Sequence, residues 1–180
     1  CSFCLCAEDV RHAPAMTRAL AAPGDTPMVR INHGLYNQDS PRAFPGWRLQ
    51  TAQQRTWLPK DFVVLAEPDT CPQNRYSTSA AFLHAHVTWS LLEGLHGAKL
   101  WITRMGDFEP DSGTAYREVL CRHAEFYREL ARQHPRWISA CCPLPPAAPF
   151  NFPYGAFASQ PSRNWGRDIF GRMGIPYHYG

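Results

Sequence analysis

The chain has 180 residues, of which 44% are aliphatic or aromatic and 18% are charged. That length suits one domain with a sizeable core and argues against two, and that balance excludes a disordered or fibrous chain. Formal net charge is +3; the arginines are scattered rather than gathered into a run, so no nucleic-acid footprint stands out.

No apolar run approaches the roughly 20 residues that a membrane-spanning helix needs, and the N-terminus lacks a charged region followed by an apolar stretch. The expectation is therefore a soluble, cytoplasmic-type protein with no membrane partner. A start at Cys1 rather than Met suggests a processed product or a segment of something longer. The seven cysteines are an odd number and include the neighbours Cys141 and Cys142, so reduced thiols fit better than a paired framework.

Three apolar runs bounded by turn-formers predict buried strands at Pro27–His33, Asp61–Glu67 and Lys99–Thr103. Near-continuous apolar runs of this kind suit parallel strands covered by helices on both faces. Between the second and third runs, Leu83, Val87, Ser90, Leu91 and Gly94 recur at helical spacing and predict a crossover helix over Ser79–Leu95. A further helix is predicted over Gly113–His134, with Tyr116, Leu120, His123, Tyr127 and Leu130 on one stripe, Ser112 or Thr114 as its cap and Pro135 as its stop. Cys142–Pro161 is rich in Pro and has no periodicity, which predicts an extended loop, and residues 142–180 form an exit segment.

The alternation of strand and helix gives an α/β class with parallel strands and right-handed crossovers. With about three such strands the chain is a small open sheet or a partial (β/α)8 barrel, the whole barrel needing about 250 residues. In both, functional groups gather at the carboxyl ends of the strands. That places Asn32 and His33, then Glu67 and Asp69, then Thr103 and Arg104 at the mouth. Pro68 cannot donate to a ladder, so the second strand should end beside Glu67. Asp69 and the polar loop carrying Arg75 and Tyr76 follow. Carboxylates with such neighbours bind sugars and stabilise an oxocarbenium-like transition state; Trp101 offers an aromatic face for a pyranose, with Trp89 on the intervening helix. The plain alternative is structural: Glu67 paired with Arg75 or Arg104, the tryptophans in the core, Asn32 in a turn and His33 satisfied by a neighbour.

Leu65-Ala66-Glu67-Pro68-Asp69, Pro72-Gln73-Asn74-Arg75-Tyr76-Ser77, Leu92-Glu93-Gly94-Leu95-His96-Gly97-Ala98-Lys99 and Leu100-Trp101-Ile102-Thr103-Arg104 together resemble the last third of the barrel in glycoside hydrolase family 42 β-galactosidases and their relatives. Met173-Gly174-Ile175-Pro176 resembles the segment leaving such barrels. The resemblance implies Glu67 as the nucleophile of a retaining hydrolase, with Asn32, His33, Asp69, Arg75, Tyr76, Trp101 and Arg104 facing a carbohydrate substrate and no cofactor. The family's acid/base Glu follows an Asn on the fourth barrel strand. No Asn-Glu dipeptide occurs here, so the resemblance implies a chain inactive alone.

Two other readings remain open. A non-catalytic carbohydrate-binding or structural α/β domain would use Glu67 only as a hydrogen-bonding or ion-pair group. A small zinc site could use Cys1, Cys4, Cys6 and His12, although one residue between Cys4 and Cys6 is not a standard knuckle spacing. Cys71 lacks a base to activate it as a nucleophile. Exposed strand edges would invite association with a second copy.

Overall fold

A computed structural model describes residues 3–5, 13–31, 38, 44–70, 77–102, 111–137, 142–144, 173 and 177–179. Its centre is a parallel sheet in which β1 (Phe3–Leu5), β2 (Met28–Ile31), β3 (Val63–Ala66) and β4 (Gly97–Ala98) lie in sequential order. Between them run α1 (Ala13–Leu20), α2 (Phe44–Trp57) and α3 (Ala80–Leu92). Each neighbouring pair of strands is thus joined through a helix, as parallel pairing demands.

Burial alternates along both central strands. Val29 and Ile31 on β2, with Val64 and Ala66 on β3, are fully buried and form one cluster with Leu58, Phe62 and Leu95. Side chains alternate across a sheet, so Met28, Arg30, Val63 and Leu65 occupy the opposite, half-buried face. The apolar runs predicted strands closed on both faces; instead one face carries the cluster and the other carries an arginine.

α3 begins where Ser79 accepts a hydrogen bond from the Phe82 N–H, a side-chain cap. It ends in a complete Schellman motif: Gly94 N–H donates to the Leu91 carbonyl and Leu95 N–H to that of Ser90. Gly94 has φ of 89°, a value that favours glycine. Beyond the sheet, α4 (Thr114–Arg122) and α5 (Ala124–Trp137) pack on α3. Leu83, Val87 and Leu91 meet Tyr116 and Leu130 there.

Four expectations are corrected. The third strand is not Lys99–Thr103: the pairing falls on Gly97–Ala98, and residues 99–102 carry no strand. The long helix is broken at His123, whose N–H bonds back to the Val119 and Cys121 carbonyls. Pro135 does not stop the helix, which runs on to Trp137. The predicted loop from Cys142 begins as a strand, β5 (Cys142–Leu144), parallel to β6 (Tyr177–Tyr179). None of the described helices is long and apolar enough to cross a membrane.

Candidate functional site

Arg30 sits on β2, level with Leu65 on β3 and on the same face. Glu67 follows β3 by one residue and continues the alternation onto that face. The strand ends at Ala66 and the next residue is Glu67, then Pro68, as the sequence requires. The result is an ion pair at the carboxyl end of the sheet, Arg30 Nη2 to Glu67 Oε1 at 2.8 Å.

Asp69 completes the group. Its Oδ2 lies 3.9 Å from Arg30 Nη1, and its Oδ1 accepts the Trp101 backbone N–H at 2.6 Å. Glu67 and Asp69 are each 7% exposed. Burial raises the Asp69 carboxyl above its ordinary range, against the opposing pull of the Trp101 N–H, Arg30 and Glu67.

The neighbouring backbone is fixed by further bonds. Thr70 N–H and hydroxyl both donate to the Trp101 carbonyl, at 3.3 and 3.4 Å. Tyr116 on α4 donates to the Thr78 carbonyl at 2.6 Å. While its backbone is held this way, the Trp101 residue is 43% exposed. An exposed indole beside a buried acid pair offers a flat apolar face next to polar, charged groups.

The structure therefore brings together Glu67, Asp69 and Trp101 among the residues that the sequence suggests. Asn32, His33, Arg75, Tyr76 and Arg104 lie outside the described residues, as do Cys1, Cys6, His12 and Cys71. Glu67 is paired with Arg30, not assigned from the sequence. The signal was available: a cation inside an otherwise apolar strand needs a buried counter-charge. Among the described residues, no group of three or more His, Cys, Asp or Glu could hold a metal ion.

A second feature lies apart from the acid pair. A groove of about 380 Å³ between α3 and α4 is lined by Ala80, Ala81, His84, Glu118, Arg122 and His123 among others. His84 and His123 stack with ring centroids 4.1 Å apart, and His84 Nδ1 lies 2.8 Å from the Tyr127 hydroxyl. It shares no residue with the acid pair.

No protein-family model matches this chain, and no curated protein or solved structure matches it either.

Proposed function

We propose that the chain carries the nucleophile side of a retaining glycoside hydrolase site, on strands that belong to a (β/α) barrel of which this sheet is one part. The observation that carries the reading is the Arg30–Glu67 pair at 2.8 Å, buried at the carboxyl end of a parallel sheet. A carboxylate that must attack an anomeric carbon needs to be ionised, oriented and screened from water; the guanidinium on the adjacent strand supplies the first two and burial the third. Sequential strand order supports the barrel, since a singly wound sheet has no point at which its order reverses. Trp101 is placed to stack on a pyranose.

A retaining enzyme also needs an acid across the glycosidic bond, its carboxyl about 5 to 5.5 Å from the nucleophile. Asp69 follows Glu67 by two residues and approaches the same guanidinium, 3.9 Å from Arg30 Nη1, so it is not the acid that faces Glu67 across a glycosidic bond. The general acid is therefore assigned to a residue outside those described. Without it, alkyl galactosides should not turn over.

An activated substrate removes that need. With 2,4-dinitrophenyl 2-deoxy-2-fluoro-β-galactoside, Glu67 attacks the anomeric carbon and dinitrophenolate departs with the bonding pair, no proton being required; the fluorine slows hydrolysis of the resulting ester. Peptide mass spectrometry should find the sugar on Glu67 and no label in Glu67→Gln. The second reading, a non-catalytic carbohydrate-binding domain, is favoured by the engagement of both Glu67 and Asp69 with Arg30. Saturable galactoside binding without labelling would select it, and neither binding nor labelling would refute both.

A further inference from the structure

His84 on α3 and His123 at the break between α4 and α5 face each other in the α3–α4 groove, with ring centroids 4.1 Å apart and planes 24° from parallel. Phe126 and Tyr127 on the first turn of α5 pack on both rings. Stacking at this separation is favourable between neutral rings and between a cation and a neutral ring. A proton on each ring would set two like charges 4.1 Å apart on half-buried side chains. The groups around the stack do not compensate that second charge. From α4, Glu118 and Arg122 line the same groove. From α5, Glu125 is engaged by Arg128, and the Tyr127 hydroxyl lies 2.8 Å from His84 Nδ1. The other α3 histidine, His86, packs against Phe44, Trp47 and Phe82 instead. Among the described residues no carboxylate pairs with either imidazole. Burial, and then the charge of His123, hold His84 below the ordinary histidine range.

We infer that the His84–His123 stack is a proton-sensitive clasp between α3 and the α4–α5 junction, closed while at most one ring is charged and parted when both are. His123 is the part that moves. Its backbone is anchored at the helix break, the N–H bonded back to the Val119 and Cys121 carbonyls and the carbonyl accepting the Tyr127 N–H. A rotation of its side chain alone carries the ring to water and leaves both helices intact. The His84–Tyr127 bond is no obstacle to the second proton, because the hydroxyl can accept where it donated. Release is local: Leu83, Val87 and Leu91 still meet Tyr116 and Leu130, so acid widens one end of the groove and keeps the helices docked. The sign follows from linkage. The native state binds its proton at His84 less readily than the unfolded chain does, so this contribution to stability is full above the ordinary histidine range and is lost as pH falls through it.

Proton NMR of the whole, unaltered chain reads the clasp directly. Near pH 8 the two assigned rings should share an NOE, and a titration to about pH 4.5 should lose it at the step in which the second Cε1–H resonance reaches its protonated position. An NOE that persists with both resonances at protonated positions would overturn the inference. Urea midpoints supply an independent arm. His123→Phe keeps an aromatic partner that takes no proton, so its midpoint should gain on that of the unaltered protein as pH falls from about 7.5 to about 4.5, while the titrations of Glu93 and His86 cancel in the difference. In a His84→Phe background the same substitution should show no such gain. Equal gain in both backgrounds, or none in either, would overturn the clasp as well. Should acid unfold the chain before the second proton is bound, the midpoint difference decides; should a variant fail to fold, the NOE does.

Discussion

Arg30 reaches Glu67 at 2.8 Å because the strand register sets it level with Leu65 and on the same face, one pleat short of the carboxylate. Both side chains are largely buried, so the pair is judged by what remains when one partner is removed. Replacing a partner of a buried ion pair typically costs about 3 to 5 kcal/mol, because the other charge is stranded. Arg30→Met should therefore lower the urea midpoint at neutral pH by a matching amount. The deficit should shrink under acid conditions, where protonation leaves no carboxylate uncompensated. An unchanged midpoint at neutral pH would show that the pair contributes nothing to the fold.

A second buried pair gives a pH dependence with a definite sign. Arg48 Nη2 lies 2.8 Å from Glu93 Oε1 and its guanidinium stacks 3.5 Å from the Trp89 ring. Burial nevertheless outweighs Arg48 and pushes the Glu93 carboxyl up to about 7 from 4.5. Between those values the native state holds more protons than the unfolded chain, so this contribution is full below about 4.5 and is lost as pH rises to about 7. His86, packed against Phe44, Trp47 and Phe82, is pushed down to about 3 by burial. Its contribution is full above about 6.5 and is lost as pH falls toward about 3. The two oppose each other over the shared window, so a variant comparison separates them. Relative to Glu93→Gln, the unaltered protein should lose on the order of 2 kcal/mol between about pH 5 and 8. Parallel stability curves for the two proteins would contradict it.

The sequence made β2, β3 and α3 readable because each shows its own signal: apolar runs closed by polar residues, and a helical repeat behind a serine. It hid α2 because Pro45 and Gly46 imitate a turn while Thr51 and Gln54 point inward, which blurs the repeat. It misplaced the fourth strand because Leu100-Trp101-Ile102 has the higher strand propensity, whereas pairing is decided by where β3 offers Leu65 and Ala66. There Gly97 fits close to the Leu65 side chain, its absent Cβ position 3.5 Å away. The helix break at His123 had no Gly or Pro to mark it, and the apolar stripe runs on through it. At the site, Glu67 and Asp69 could be found from position alone. Arg30 shows in the sequence only that it needs a counter-charge; which carboxylate supplies it is set by the strand register, which is a property of the sheet.

Gly94 offers a local test of the α3 terminus. Its φ of 89° lies in the left-handed region, where a side chain costs about 1 to 2 kcal/mol. The carbonyls of Ser90 and Leu91 depend on that turn for their partners, and Arg55 Nε donates to the Gly94 carbonyl at 3.2 Å. Gly94→Ala should destabilise by about 1 kcal/mol, whereas Gly94→Asn, which tolerates this conformation better, should cost less. Equal costs would mean that the turn relaxes out of the left-handed region.

Trp101 separates ligand recognition from stability, because its backbone and its side chain have different duties. The backbone N–H holds Asp69 and the carbonyl receives Thr70, and a truncation to alanine keeps both. The indole is partly in water, and losing an exposed side chain usually changes stability by less than about 0.5 kcal/mol. If the ring stacks on a sugar, Trp101→Ala should weaken galactoside binding by about tenfold, since about 1.4 kcal/mol is one factor of ten, while the urea midpoint stays put. Titration calorimetry beside a denaturation curve reads both quantities. A variant that binds as tightly as the parent would remove Trp101 from the site and leave the acid pair without its platform.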